Sequence, residues 1–244
     1  MTATVRVAMW SGPRNISTAM MRAFENRPDT VVVDEPLYAA YLARTGIDHP
    51  VRDAVIASQP TDLATAIAEL SEPLPPGRRV HYAKHMAHHV SRDDMDLRWT
   101  LRFRNVLLIR DPAEVVASYV RARESCEPED IGLPQQGWLR ELWDEHGIEV
   151  PILDASDFLR APEAHLRRLC DWLGIPFTDR MLSWPPGPRE SDGVWAPHWY
   201  AAVGSSTGFE PWRPRETSLS DHHAAVAEAC RPVYEALRAR RLVV

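Results

Sequence analysis

The run Val5-Arg-Val-Ala-Met-Trp-Ser-Gly-Pro-Arg-Asn-Ile-Ser-Thr-Ala-Met-Met21 constrains this chain more than any other. Val5 to Trp10 is a short apolar stretch suited to a buried strand. Gly12-Pro13 then breaks it. Ile16 to Phe24 reads as a helix whose start carries Asn15, Ser17 and Thr18. Strand, tight loop and helix N-terminus in this order make an anion site, because free backbone N–H groups and the positive end of the helix dipole converge on one point. Arg14 adds a fork of donors matched to a pair of phosphate or sulfate oxygens.

The same alternation continues down the chain. Asp29–Glu35 reads as a second buried strand, Arg79–Lys84 as a third, Asn105–Arg110 as a fourth and Val150–Leu153 as a short fifth. Helices are expected at Leu37–Ala43, Thr61–Leu70, after Asp111-Pro112, at Leu139–Glu145, at Pro162–Leu173 and at His222–Arg241. Asp111 is placed as an N-cap with Pro112 in the first turn, and Gly174 and Pro176 stop the Pro162 helix. Residues 183–214, rich in Trp, Pro and Gly, read as a long ordered loop rather than a linker. Strands separated by helices predict an α/β fold with a mostly parallel central sheet, here as one domain over residues 1–244. Ligands of such sheets bind beyond the carboxyl ends of the strands. Arg14, Glu35, Lys84 and Arg110 each stand at or just after a strand end and are expected to share one crevice.

Composition narrows the functional classes. A formal charge of −6 argues against a general nucleic-acid or membrane-surface binder. Cys126, Cys170 and Cys230 have neither metal-like nor paired spacing, which points to a reducing compartment. Val5–Trp10 is too short for a signal sequence and lacks a cleavage pattern, so a cytoplasmic location is expected. Of the 28 basic residues only Lys84 is a lysine. A drift toward Arg can leave a stray Lys anywhere, but a compact, proton-exchanging ammonium at a strand end is a functional candidate.

The first loop is not an ordinary nucleotide-hydrolase loop. That form needs a second Gly followed by Lys and Ser/Thr, and here Ser17, Thr18 and Ala19 stand at the corresponding positions after Gly12. Glu35 at a strand end beside an anion site can accept a proton from an acceptor group, or it can be an ion-pair partner of Arg14. His81, His85, His88 and His89 cluster around Lys84. His85 is expected nearest the crevice, the others in packing roles. Arg110 offers bidentate phosphate contact. Ser118, eight residues on, adds a neutral donor or serves as a small helix-packing residue.

These motifs resemble a known family. Ser11-Gly-Pro-Arg-Asn-Ile-Ser-Thr18 is similar to the 5′-phosphosulfate loop of sulfotransferases that use 3′-phosphoadenosine 5′-phosphosulfate (PAPS). Leu108-Ile-Arg-Asp-Pro-Ala-Glu-Val-Val-Ala-Ser118 resembles their 3′-phosphate motif, with Arg and Ser at the same spacing. Leu166 to Phe177 is similar to the family's late helix and its Leu-Gly-x-Pro step, and Gly193-Val-Trp195 resembles its glycine-tryptophan loop. Among sulfotransferase-like proteins, the likeness is to those related to a domain of plant aminotransferase-like proteins. The resemblance implies a three-layer α/β/α fold related to nucleotide kinases, and sulfuryl transfer to a hydroxyl or amine of a small-molecule acceptor. It implies that Arg14, Asn15, Ser17 and Thr18 hold the 5′-phosphosulfate, Arg110 and Ser118 the 3′-phosphate, and that Trp195 contacts the adenine or the closing loop. Glu35 is implied as base with His85 as rival, Lys84 as a charge stabiliser, and no metal is required. Arg14 stands where the cytosolic enzymes usually have Lys, and His85 falls one position early for their Lys-Thr-His motif. A metal-dependent P-loop phosphotransferase or nucleotide hydrolase, and a non-catalytic nucleotide-binding module, are the competing readings.

Overall fold

The structure, a computed structural model, describes residues 4–93, 95–121, 123, 125–214 and 217–244. Five strands form one parallel sheet: β1 (Val5–Ser11), β2 (Thr30–Asp34), β3 (Val80–Met86), β4 (Arg104–Ile109) and β5 (Ile152–Asp154). Their order is β2-β3-β1-β4-β5. The chain leaves central β1 for β2 at one edge and returns through β3, then crosses to β4 on the other side. The carboxyl ends of β1, β3 and β4 therefore border the crevice where the strand order reverses.

Between β1 and β3 the chain forms α1 (Ser17–Glu25), α2 (Tyr38–Thr45), α3 (Arg52–Ser58) and α4 (Leu63–Glu69). Between β4 and β5 come α5 (Pro112–Tyr119), α6 (Pro128–Ile131) and α7 (Leu133–Glu145). After β5 come α8 (Ala155–Arg160), α9 (Pro162–Leu173), α10 (Ala196–Trp199), α11 (Ala201–Gly204) and α12 (Asp221–Arg238).

Alternation along the strands divides the core into two layers. Ala8, Trp10, Ala83, Leu107 and Ile152 face one way and meet Val116 of α5, Leu139 and Trp143 of α7, and Val226 and Tyr234 of α12. Val7, Met9, Tyr82, Leu108 and Leu153 face the other way, against Met20 and Phe24 of α1 and Leu166 and Leu169 of α9. Each such side chain fully buried contributes about 1.5–3 kcal/mol, whereas a helix cap contributes about 1 kcal/mol. Packing decides the fold, and caps decide where helices begin. Asp111 does this for α5, accepting from the N–H of Ala113 at 2.8 Å with Pro112 in the first turn. Asp62 does it for α4 and Ser220 for α12.

The expected strands and helices are all present, and α9 matches its expected span. Two differences have physical causes. Helix α7 starts at Leu133 rather than Leu139, because Gly132 at φ +76° turns the chain and Pro134 is tolerated in a first turn. Helix α3 was not anticipated, since its seven residues bury only Val55 and so carry a weak apolar period. Residues 183–214 are an ordered cover, containing α10 and α11 and closed by a bridge between Ser183 and Gly208. Arg22 of α1 clamps this cover through Asp192 at 2.6 Å, and Asn26 donates to the Ser183 carbonyl at 2.7 Å. Among the described residues no helix is long and apolar enough to cross a membrane.

Candidate active site

The first loop is held by close backbone packing. A carbon added at Gly12 would lie 2.1 Å from the Ile131 carbonyl oxygen, so a larger residue cannot enter there. Arg14 adopts φ +55°, a sparsely used region for a residue with a side chain. The Asn15 side chain braces the turn, accepting from the Ile16 N–H at 2.8 Å and donating to the Leu108 carbonyl at 3.1 Å. Gln136, reaching in from α7, donates to the same carbonyl and to that of Trp10. Helix α1 then begins with no side-chain cap, which leaves its first N–H groups for a ligand beside Ser17 and Thr18.

Arg14 Nε donates to Ser118 Oγ at 3.1 Å, and Arg110 Nη1 donates to the Arg14 carbonyl at 2.7 Å. The remaining Arg110 donors are turned to Glu114 of α5, at 2.7 Å for Nη2. Burial, and then the neighbouring Arg110 and Arg121, lowers the Arg14 pKa. Several guanidinium groups share this corner with one carboxylate, an arrangement that an anion would relieve.

Across the crevice lies a buried ion network. Glu35 follows β2 with φ +44° and its N–H donates to the Lys84 carbonyl at 2.9 Å. Lys84, 1 % exposed, donates from Nζ to Asp34 Oδ1 at 2.8 Å and Glu35 Oε1 at 2.7 Å. The Tyr200 hydroxyl and the Gly193 N–H both donate to Asp34 Oδ2, at 2.7 and 3.1 Å. Trp195 Nε1 donates to the Tyr200 oxygen at 3.1 Å. Asp34 is thus saturated, while Glu35 Oε2 faces His89 Nε2 at 4.0 Å, beyond hydrogen-bond range.

Burial raises the Glu35 pKa, with the Lys84 charge opposing and Asp34 reinforcing that rise. Burial would pull the Lys84 ammonium down, but Asp34 and Glu35 outweigh it and hold the pKa well above the usual lysine value. The pair behaves as a fixed cation beside a carboxylate with an enhanced tendency to take up a proton.

One cavity of about 330 Å³ joins the two features. Arg14, Ser17, Thr18, Arg110 and Ser118 line it, and so do Glu35, Lys84, Tyr38, His89, Trp199 and Tyr200. Residues 5–241 of this chain match the family model described as "Sulfotransferase domain". The chain belongs to the sulfotransferase-domain family. It is 34% identical over 232 residues to branched-chain-amino-acid aminotransferase-like protein 2 of Arabidopsis thaliana. It is 36% identical over 231 residues to the like-named protein 1 of the same plant. Each match covers 94% of this chain, which spans about two fifths of the length of these curated relatives. Among solved structures it resembles a sulfotransferase domain from the curacin biosynthetic pathway, at TM-score 0.52 and 16% identity, over 94% of this chain and 98% of that one. It also resembles a sulfotransferase from Alicyclobacillus acidocaldarius, at TM-score 0.56 and 14% identity, over 99% and 98% of the two chains. At such identities these structures show a shared fold, the α/β arrangement that the motifs implied.

In this sulfotransferase-family chain the structure brings together Arg14, Asn15, Ser17, Thr18, Glu35, Lys84, Arg110 and Ser118, all of which line the cavity. Two expected residues are not brought there. His85 does not line the cavity, because β3 runs on through Met86, and adjacent strand residues point to opposite faces. Lys84 faces the crevice, while His85 faces the other layer and stacks on Trp10 with centroids 4.2 Å apart. Burial pushes the His85 pKa down to about 3, and neither ring nitrogen has a hydrogen-bond partner. Trp195 likewise stands behind the cavity wall, 1 % exposed, packed edge-on against Tyr38. Its ring folds back over Gly193, where an added carbon would fall 2.1 Å from it. That contact explains the Gly-x-Trp spacing. The aromatic groups that do reach the cavity include Tyr38, Tyr119, Trp199, Tyr200 and Phe209, and the lining histidine that faces Glu35 is His89. Tyr38 had a legible signal, lying one helical turn after Glu35. Tyr200 had none.

Proposed function

We propose that this chain transfers a sulfuryl group from PAPS to a small-molecule acceptor. The observation that carries the reading is a single cavity shared by an uncapped helix N-terminus with Arg14, Arg110 and Ser118, and by the buried Glu35–Lys84 pair. Family membership points to the same chemistry. The first set fits a ligand with two anionic groups: the α1 N–H groups, Arg14, Ser17 and Thr18 for the 5′-phosphosulfate, Arg110 and Ser118 for the 3′-phosphate. PAPS supplies the sulfuryl group. Arg14 and the loop N–H groups balance charge spread over the transferring group and the leaving phosphate, the main task in such a displacement.

Glu35 takes the acceptor's proton as the acceptor atom bonds to sulfur and the bridging S–O bond breaks. The electron pair of that bond goes to the 5′-phosphate, giving 3′-phosphoadenosine 5′-phosphate (PAP) and the sulfated acceptor. Lys84 keeps the Glu35 carboxylate oriented and balances charge beside the transfer. Asp34 does not need to be free for this, being saturated by Lys84, Tyr200 and Gly193.

Calorimetry with PAP against ATP tests the donor. PAP is expected to bind without added Mg2+ and more tightly than ATP. Equal or tighter ATP binding that depends on Mg2+ would move the assignment to a phosphotransferase or hydrolase. PAP binding with no turnover of any hydroxyl or amine acceptor would leave a nucleotide-binding module.

A further inference from the structure

Lys84 is held by more than the two carboxylates of its ion pairs. An ammonium has three N–H donors and no acceptor. Here each donor has an acceptor of its own: Asp34 Oδ1 at 2.8 Å, Glu35 Oε1 at 2.7 Å and the Tyr200 oxygen at 2.5 Å. The third acceptor comes from the cover, where Tyr200 stands between α10 and α11. Its ring centroid lies 4.8 Å from the same ammonium.

The Tyr200 hydroxyl is as fully used as the lysine. It has one proton and two lone pairs. The proton goes to Asp34, whose Oδ2 is 2.7 Å away, and the lone pairs take Lys84 Nζ and Trp195 Nε1. Burial raises its pKa well above the usual tyrosine value, against the Lys84 charge and with the help of Asp34 and Glu35, so the proton stays on. Although Tyr200 lines the cavity, its hydroxyl has nothing left to offer a ligand.

We infer that Tyr200 is a positioning residue: by taking the third Lys84 N–H and bracing Asp34, it stops the ammonium from turning, which keeps Glu35 Oε1 engaged and Glu35 Oε2 free for the acceptor. This inference rests on the proposed sulfuryl transfer and adds that the cover completes the proton-accepting site. Without the hydroxyl, a buried N–H of Lys84 has no partner, and the ammonium can relieve that only by swinging off its carboxylates or admitting water. Asp34 Oδ2 then keeps only the Gly193 N–H. The Tyr200 hydroxyl also lies 3.5 Å from Glu35 Oε1 and works against the burial that raises the Glu35 pKa. Its loss therefore raises the proton affinity of Glu35 further. Glu35 is faced by Asp34 from its own strand end, Lys84 from β3, His89 from the turn that follows, Tyr38 from α2 and Tyr200 from the cover. Tyr200→Phe alters only the last of these directly.

The test has two arms. Lys84 is the one lysine in the chain, so nitrogen-15 labelling of the lysine ε-nitrogen gives a single NMR signal that needs no assignment. In the wild type it is expected to be sharp at neutral pH with slow hydrogen exchange. A wild-type ammonium that exchanges like free lysine would overturn the proposal without any variant. In Tyr200→Phe, which keeps the ring, exchange should quicken by about 10-fold or more, the worth of one hydrogen bond to a charged group. The second arm is steady-state turnover with PAPS. Tyr200→Phe should lose about 10-fold in kcat, with KM for PAPS and affinity for PAP unchanged. The acid limb of its pH profile should move up by about half a unit to one unit. Wild-type exchange or a wild-type acid limb in folded Tyr200→Phe would overturn the proposal, even with a lowered melting temperature, since a merely structural residue gives that pattern. Failure of PAP to bind the wild-type chain would instead remove the donor assignment and leave the lysine signal to decide the role of Tyr200.

Discussion

On the side of the cavity proposed to take the donor, residues 13–19 supply most of the lining in one stretch, joined by Arg110 and Ser118 from a single later strand-helix unit. The acceptor side draws Asp34 and Glu35 from the end of β2, Lys84 and His89 from β3 and beyond, and Gly193, Trp195 and Tyr200 from the cover. The donor side is organised by backbone: a glycine forced by the Ile131 carbonyl, a left-handed Arg14 and an uncapped helix. The acceptor side is organised by ionised side chains that depend on one another. Backbone sites tolerate single side-chain losses with graded effects, whereas a buried ion network fails as a unit. Substitutions on the two sides should separate on that ground.

The largest effect is expected at Glu35. Glu35→Gln should keep PAP affinity and lose about 100- to 10,000-fold in turnover, the range of a general base, measured by steady-state assay beside calorimetry. The pH profile sharpens this. Because burial raises the Glu35 pKa, activity should fall as pH drops through a value above the ordinary carboxylate range. For stability the sign is the reverse. A carboxyl whose folded pKa is raised contributes stability that is present below its unfolded pKa and lost as pH rises through the folded one. Urea melts should show that loss in the wild type and lack it in Glu35→Gln.

Next in size is Lys84→Met, which leaves Asp34 and Glu35 buried together without their cation and should cost about 3–5 kcal/mol by denaturant melting. Lys84→Arg restores charge but not a compact ammonium, so its turnover should remain strongly impaired. A wild-type rate in that variant would reduce Lys84 to a replaceable charge. Arg14→Gln should weaken PAP by about 10- to 100-fold, the value of one or two charge-assisted hydrogen bonds, with a shallower salt dependence and unchanged melting. If Arg14→Gln instead unfolds the chain, the contrast between the two sides is wrong. The smallest effect is expected at His85→Phe, a similar-sized ring in the stack on Trp10, at under about 1.5 kcal/mol and with turnover retained. A dead but folded His85→Phe would return the base assignment to His85.

The donor side and the sheet were legible because both are local. Apolar runs gave the strands, Asp111-Pro112 gave the start of α5, and Gly12 to Thr18 gave the anion cradle. The errors sit where the reading depended on geometry across the sheet. His85 was misplaced by ending β3 one residue before it. One more strand residue turns that ring to the opposite face, and the histidine that faces Glu35 is His89, the last residue of the short 3₁₀ turn of Ala87–His89. Trp195 carried a motif-like neighbour in Gly193, but that spacing reflects the ring folding over the glycine rather than over a nucleotide. Tyr200 could not have been singled out, since its partners Asp34 and Lys84 lie more than 100 residues away in sequence.

Lys84 has a consequence of a different kind. It is the one lysine in the chain, and the Tyr200 hydroxyl that crosses over Asp34 roofs its ammonium. An acylating reagent therefore meets a single ε-amine, 1 % exposed at the cavity wall and held under that hydroxyl. The rate at which that amine is modified reads out how often the molecule opens, and its slowing with PAP or an acceptor would measure how firmly each ligand shuts it.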